Sequence, residues 1–310
     1  MIALLEKLLP VLLTIMIGWA LRKRRVISVQ AMNELKNIIV NVALPCILFL
    51  SFGKTILEAK YIIIVVLVFA MCTAFYSAGF FLRRRVAGVF GSIFTPWFMG
   101  GFEFGMIGIG LFAALWGSEN LPMIMLIGLG HEFFAWFVCV PYIQYKNSGA
   151  FNLVDTMKNF MKTPVILAIF GGLFVNITGL YQLIQTFFWG RALFSAMTSI
   201  SNITVPLILM VIGYSLVIEG SSAIKMALYI MAKIAVVLSV GTVTLVLIQL
   251  LAGPMDPFFR IAFYAFLILP PSYLLPVLVK DNEEERHFFS QTVVYYTIVS
   301  FAGYIVLMLL

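Results

Sequence analysis

Charged residues are rare in this chain of 310 residues, and histidine and cysteine are rarer still. Only 11% of the residues are charged, against about 25% in a typical soluble domain. His131 and His287 are far apart in sequence, and Cys46, Cys72 and Cys139 lie inside apolar runs without CxxC spacing. No phosphate-binding loop, HExxH motif or nucleophile elbow occurs. We therefore expect no enzyme, no cofactor and no metal, and we interpret the cysteines as small packing residues.

Apolar residues make up 63% of the chain, and the mean hydropathy is +1.08. A transmembrane helix needs roughly 20 consecutive apolar residues, whereas the strands of a membrane barrel alternate over about ten. The apolar runs here are continuous, which predicts an all-α integral membrane protein in the lipid bilayer. Ten runs can be placed, near residues 3–21, 35–52, 61–82, 89–115, 122–142, 164–180, 198–218, 226–251, 258–279 and 288–310.

Basic residues predict the orientation in the membrane. The sequence RKRR at residues 22–25 follows the first run, whereas in a secretory signal the charges come first, so we expect a retained helix. The odd-numbered loops carry 14 Lys and Arg residues, and the N-terminus with the even-numbered loops carries 5. The positive-inside rule then places both termini outside a cell membrane. The net charge of +7 is mostly this topology signal, and no nucleic-acid partner is expected.

Two segments share an unusual pattern: NVALPCILF at residues 41–49 and NITVPLILM at residues 202–210. They match Asn41 with Asn202 and Pro45 with Pro206. The first and sixth runs also align, from Pro10 and Pro164 onward. Two runs thus match their counterparts five runs later. Because five is an odd number of membrane crossings, the second copy of such a repeat has the opposite orientation in the membrane. The pattern predicts a 5+5 inverted repeat with halves 1–150 and 151–310; chance alignment of apolar sequence is the alternative.

The fourth and ninth runs carry residues that interrupt helices. TPWFMGGFEFGMIGIGLF at residues 95–112 is rich in glycine, and LILPPSYLLPVLV at residues 267–279 is rich in proline. Proline removes a backbone donor, and glycine tolerates unwound backbone. Such backbone at membrane depth needs protein or a wet cavity to satisfy it. We predict broken, crossing helices, with the helix-break positions Gly101, Gly108, Gly110, Pro270 and Pro276.

The sequence resembles the auxin efflux carrier family, which includes plant auxin exporters and bacterial relatives described as malonate, malate or general organic-anion permeases. The resemblance is carried by residues 9–24, 37–52, 163–180 and 201–216 and by Pro271 and Pro276. It implies a ten-helix inverted repeat like that of bile-acid symporters and sodium/proton antiporters. It also implies scaffold and transport domains, elevator-type alternating access and a small carboxylate substrate. A homodimer is compatible with it.

The resemblance assigns site residues and also shows a departure. The amide of Asn202 matches a family asparagine that helps to hold the substrate carboxylate. Where the family's fourth helix reads N-x-x-x-x-G-x-P, this chain has Glu103 and Gly110 in place of the asparagine and the proline. An ionised Glu103 would repel a carboxylate. Either Glu103 is protonated in the loaded state or the substrate is no simple anion; alternatively, Glu103 pairs with another helix. The predicted substrate-binding residues are Asn202, Glu103, Gly105, Pro271, Ser272 and Tyr273.

Three more ionisable residues lie at membrane depth, where a charge costs at least ~2.5 kcal/mol on insertion scales. His131 and Glu132 are candidates for proton coupling beside Glu103, and a structural bond to a neighbouring helix is the equal alternative. For Lys233, snorkelling of the long side chain to the headgroups is the favoured interpretation. For Asn41, we favour a helix-packing hydrogen bond over ligand binding.

Two classes of function remain open from the sequence. The first is a secondary transporter of a small organic anion, with or without coupling to protons. The second is a channel or a membrane receptor that keeps the carrier fold without coupled transport, an alternative motivated by Glu103 and Gly110.

Overall fold

The computed structural model describes residues 2–55, 58–142, 152–216, 223–279 and 282–309, and the regular structure within these ranges is helical, without strands. Three five-residue π-helical segments interrupt the α-helices, at Ile39–Ala43, Phe104–Gly108 and Ala135–Cys139. In chain order the α-helices are α1 (Ile2–Lys23), α2 (Val29–Ile38), α3 (Leu44–Lys54), α4 (Lys60–Arg85), α5 (Ala87–Phe90), α6 (Thr95–Gly100), α7 (Ile109–Trp116), α8 (Leu121–Phe134), α9 (Leu153–Lys162), α10 (Pro164–Ile177), α11 (Leu180–Thr186), α12 (Phe188–Ser215), α13 (Ala223–Ala252), α14 (Pro257–Ile268), α15 (Leu275–Leu278) and α16 (Glu283–Leu309).

The prediction of a helical protein with several membrane spans is confirmed. Over the described ranges, seven helical stretches are long and apolar enough to cross a membrane. An eighth is obtained if α9 and α10, which are bent by 71°, are counted as one span. Helix α14 is apolar but has only 12 residues. The count of ten spans and the inverted repeat stay predictions, and two of the counted loop charges, Lys146 and Lys280, lie outside the described residues.

Local sequence explains where several helices begin. The Ser28 hydroxyl accepts a hydrogen bond from the amide of Ala31 at 3.1 Å before α2. The Asn152 side chain accepts from Val154 at 2.9 Å before α9. Asp256 accepts from the amide of Phe258 at 2.7 Å, and Pro257 follows it as the first residue of α14. Each cap satisfies an amide that has no partner inside the helix, so these boundaries follow from the sequence.

The chain divides into two compact units, and each takes segments from both halves of the sequence. Unit 1 comprises Met1–Glu58, Gly105–Pro122 and Asn152–Leu216. Unit 2 comprises Ala59–Phe104, Met123–Phe151 and Val217–Leu310. The compact units do not coincide with the predicted halves 1–150 and 151–310, and the inverted repeat of these halves stays a prediction.

Unit 1 is built from helices that approach one another closely. Helix α1 packs on α12, and α3 packs on α10. A Cβ at Gly18 would overlap the main chain of Met210, and a Cβ at Gly213 would overlap that of Ile15. These two glycines permit backbone contact between α1 and α12. At the end of α10, the Asn176 amide donates to the carbonyl of Phe52 at 2.7 Å and thereby satisfies an end of α3.

Unit 2 is built around α4 and α13, which pack on each other and on the short helix α6. Helix α16 packs on α14 and α15. Aromatic rings fill the space beside α6: Phe98 lies 5.2 Å from Tyr229 and 6.4 Å from Tyr296, centroid to centroid. The Tyr229 hydroxyl shares a hydrogen bond of 2.8 Å with Thr95, the first residue of α6. Large rings and one polar bond thus fix α6 in place.

Candidate functional site

The fourth predicted span is interrupted directly after α6. The amide of Gly101 donates to the carbonyl of Trp97 at 2.7 Å, and Gly101 is extended, with φ −86° and ψ 137°. Gly101–Glu103 is not helical, and helical structure resumes with Phe104–Gly108. Four buried residues, Gly100 and Gly101 with the flanking Met99 and Phe102, surround this point. We call Gly101–Glu103 the first break.

The ninth predicted span is interrupted in the same way after α14. Leu269 is extended, and the next turn of regular structure begins only at Leu275. Pro270 and Pro271 have no amide hydrogen to continue the helix, which explains the end of α14. The buried Ser272 hydroxyl accepts from the amide of Leu274 at 3.3 Å. We call the segment 269–274 the second break.

Hydrogen bonds connect the two breaks inside unit 2. The amide of Glu103 donates to the carbonyl of Pro270 at 2.9 Å. In return, the Glu103 carboxylate accepts from the amide of Tyr273 at 2.8 Å. The Tyr273 hydroxyl is within 3.1 Å of the Thr297 hydroxyl on α16. Main-chain groups that unwinding would leave without partners are therefore bonded across the breaks, as buried backbone groups must be.

His131 on α8 supplies another bond to the first break. Its side chain is only 4% exposed, and its Nε2 atom accepts from the amide of Phe102 at 3.1 Å. An accepting Nε2 carries no proton, so the proton of the neutral ring is on Nδ1. Nδ1 has no hydrogen-bond partner and lies 3.7 Å from an oxygen of the half-buried Glu132. His131 thus makes a structural bond, and a role in proton transfer stays a prediction.

Lys233 corrects an interpretation made from the sequence. We expected its side chain to snorkel to the headgroups, but the residue is 0% exposed. Its Nζ atom donates to the carbonyls of Phe98 and Gly101, each at 2.8 Å, and lies 3.9 Å from the centroid of the Phe102 ring. The snorkelling prediction is wrong because carbonyls freed at the end of α6 offer the amino group two acceptors inside the protein.

The residues of the repeated Asn-Pro pattern lie in unit 1. Pro206 is inside the continuous helix α12 and has no amide hydrogen, so it cannot bond the carbonyl of Asn202 one turn earlier. The Asn202 side chain is exposed. In the first copy, Asn41 lies in the π-helical segment before Pro45 and donates to the carbonyl of Asn37 at 2.8 Å. The recorded bond of Asn41 is therefore within its own helix. The pattern places an exposed amide beside a carbonyl that lacks its helical donor.

The other predicted site residues divide between the units. Glu103, His131, Glu132, Gly101, Pro270, Pro271, Ser272, Tyr273 and Pro276 belong to unit 2, where Glu103 and Tyr273 are in direct contact. Gly105, Gly108 and Gly110 belong to unit 1, together with Asn41, Pro45, Asn202 and Pro206. A Cβ at Gly110 would overlap the side chain of Ile208, so this position has a packing role. The roles of Asn202 and Gly105 in substrate binding stay predictions.

Sequence reasoning missed the polar side chains of α16 that contact α14. The Ser300 hydroxyl donates to the carbonyl of Ile268 at 2.7 Å, and the Tyr304 hydroxyl donates to that of Ala265 at 3.0 Å. Both carbonyls are in the last turn of α14. Thr297, Ser300 and Tyr304 are spaced by three and four residues, so they share one helix face. This polar stripe in an apolar helix was the available signal.

Apolar helices that are interrupted at membrane depth are typical of membrane transporters. A comparison with protein families agrees with this class of protein. Residues 3–149 match the family model described as Membrane transport protein. The match covers 147 of the 310 residues and confirms the resemblance to the auxin efflux carrier family that was noted in the sequence. A comparison with curated proteins found no match.

Proposed function

We propose that this protein is a secondary transporter of a small organic anion that works by elevator-type alternating access and couples transport to protons at Glu103. The substrate class is a carboxylate such as malate, malonate or an auxin-like acid. The family match and the bonded breaks of unit 2 support this proposal. Unit 2, which contains both breaks, is then the transport domain, and unit 1 is the scaffold. The halves 1–150 and 151–310 are inverted repeats in this proposal.

The hydrogen bond between the Glu103 carboxylate and the Tyr273 amide is the observation that carries the proposal. Broken helices of transporters offer backbone amides to anionic substrates. Here the Glu103 carboxylate of the protein itself accepts a hydrogen bond from such an amide. An ionised Glu103 would compete with the substrate for this donor and would repel the substrate, because like charges disfavour joint ionisation. Protonation of Glu103 removes the repulsion and weakens its hydrogen bond to the Tyr273 amide. Proton and anion therefore bind together.

Glu103→Gln tests this coupling. Affinity for malate or malonate, measured by titration calorimetry between pH 5 and pH 8, should rise toward acid pH in the parent protein by up to about tenfold per pH unit for one coupled proton. Glu103→Gln resembles the protonated acid, so it should keep its affinity and lose most of this pH dependence.

Glu132→Gln is the matched control, because Glu132 is the other half-buried carboxylate beside the first break. It should keep the pH profile of the parent. A parent-like profile in Glu103→Gln contradicts the coupling role of Glu103, and a flat profile in Glu132→Gln alone transfers that role to the His131–Glu132 pair.

Flux measurements distinguish a transporter from a channel or a receptor. In proteoliposomes, uptake of labelled substrate should saturate, and unlabelled substrate inside the vesicles should accelerate it by counterflow. Flux that does not saturate indicates a channel, and binding without flux indicates a receptor. Either result contradicts the proposed transport.

The proposed topology has both termini outside the cell membrane. Cysteines are placed singly at positions 24 and 284 in a background where Cys46, Cys72 and Cys139 are alanine. In intact cells these cysteines should be protected from an impermeant thiol reagent and should react after permeabilisation. A cysteine at exposed position 189, near the start of α12 and between the sixth and seventh predicted runs, is the outside control. Labelling of position 24 or 284 from outside reverses the orientation.

A further inference from the structure

Each break of unit 2 presents a pair of main-chain carbonyls that are three residues apart. At the first break the pair is Phe98 and Gly101. At the second break the pair is Ala265 and Ile268. Both pairs lie at the C-terminal end of a helix, in or directly after its last turn, so their helical donors are missing and another group must satisfy them. The two positions are thus comparable.

The two pairs are satisfied by different chemistry. The neutral hydroxyls of Ser300 and Tyr304 donate hydrogen bonds to the carbonyls of the second pair. The amino group of Lys233 donates to both carbonyls of the first pair at 2.8 Å. Since neutral hydroxyls are enough at the second break, hydrogen bonding alone does not require a charge at the first. A fully buried charge is expensive unless its surroundings are built for a cation.

The surroundings of Lys233 are those of a cation site. Besides the two carbonyls, the Phe102 ring lies 3.9 Å and the Tyr296 ring 5.8 Å from the ammonium nitrogen, measured to the centroids. Aromatic rings within about 6 Å attract cations. Carbonyls of unwound backbone and of half-helix ends hold the coupling cations of many transporters. The ammonium group of Lys233 occupies a position of this kind.

We propose that the Lys233 ammonium is a built-in cation in a carbonyl-lined monovalent-cation site at the first break, and that the protein therefore keeps this break ordered without a bound metal ion. Truncation of Lys233 removes the resident charge and leaves the carbonyl pair and the rings. A monovalent cation of suitable size, such as Na⁺, can then bind there, with water completing its coordination. The proposal concerns cation binding and does not rest on the identity of the substrate.

Lys233→Ala and the matched variant Ser300→Ala test the proposal, because each removes a cap from one of the two comparable carbonyl pairs. Thermal unfolding of the full chain in detergent is followed in NaCl and in choline chloride at equal ionic strength. In Lys233→Ala, Na⁺ should raise the midpoint saturably, by about 2–4 °C at roughly tenfold excess over its Kd. The parent protein and Ser300→Ala should unfold at the same temperature in both salts.

Lys233→Met is the second variant, since its side chain fills the space without a charge and should abolish the Na⁺ response. Equal midpoints of Lys233→Ala in NaCl and choline chloride overturn the proposal. A response to Na⁺ in the parent or in Ser300→Ala of the same size also overturns it, because the effect is then not at this site. Failure to obtain folded Lys233→Ala after solubilisation in NaCl overturns it as well, since Na⁺ then does not replace the ammonium.

Discussion

Unit 1 and unit 2 bury very different amounts of polar side chain. Among the residues that the structure describes, unit 1 buries Thr156 and Thr204, and each hydroxyl donates to the carbonyl four residues earlier in its own helix. Unit 2 buries nine polar residues: Thr95, His131, Lys233, Thr244, Ser272, Gln291, Thr292, Thr297 and Ser300. Several of these bond a different helix or a break. Unit 1 thus relies mainly on close apolar packing, with a few bonds between helices such as that from Asn176 to Phe52, whereas unit 2 depends on polar bonds between elements.

This contrast bears on the proposed roles of the two units. Buried polar groups cost stability unless they are fully bonded, and they are retained where a function requires them. Close packing of helices around small residues instead provides a rigid frame in a membrane. The difference between the units is therefore consistent with a scaffold and a transport domain, and each of the following variants tests one side of it.

Gly18→Ala should have the largest effect on stability. The added Cβ would overlap the main chain of Met210, which cannot rotate away, so α1 and α12 must separate. We expect a loss of roughly 3 kcal/mol or more. Gly171→Ala is the control, because its Cβ would meet only the Phe49 ring at 3.5 Å, an ordinary contact. It should be neutral or stabilising by up to about 1 kcal/mol. Thermal unfolding in detergent measures both, and equal effects would refute close packing as the basis of unit 1.

His131→Leu should have an intermediate effect, because it leaves the buried amide of Phe102 without its acceptor. An unsatisfied buried group costs about 1–3 kcal/mol. Its counterpart in unit 1 is Thr204→Val, which removes a hydroxyl that bonds only within its helix, and it should cost less than about 1 kcal/mol. If Thr204→Val is as damaging as His131→Leu, the two units do not differ in their dependence on polar bonds.

Asn202→Ala should leave stability unchanged and weaken binding of the anion. Loss of a hydrogen bond to a charged ligand group costs about 1.5–3 kcal/mol, which corresponds to roughly tenfold or more in Kd. Ser199→Ala, another exposed position on α12, should bind like the parent protein. Calorimetric titration with malate or malonate measures both. Unchanged affinity in folded Asn202→Ala removes this residue from the site and leaves ligand chemistry to unit 2.

The sequence by itself determined the membrane class, the helices and the resemblance to a family of membrane transport proteins. Long apolar runs leave few alternatives to membrane-spanning helices, and caps such as Ser28 and Asp256 act within three residues. Glycine at residues 100–101 and proline at residues 270–271 also act locally, and helices end beside both pairs. Hydropathy, capping and helix breaking are short-range effects, so a single sequence reveals them.

Only the tertiary structure decided which polar groups meet. The carboxylate of Glu103 bonds an amide 170 residues away, and Lys233 bonds carbonyls 132 and 135 residues away. For Lys233, the position in the helix suggested that the side chain reaches the lipid headgroups. Only the structure shows that it is buried, because it donates to two carbonyls at the end of α6. The breaks expose backbone acceptors and donors, and their partners come from helices that are remote in sequence. No periodicity specifies those partners, because they depend on how the chain folds back on itself.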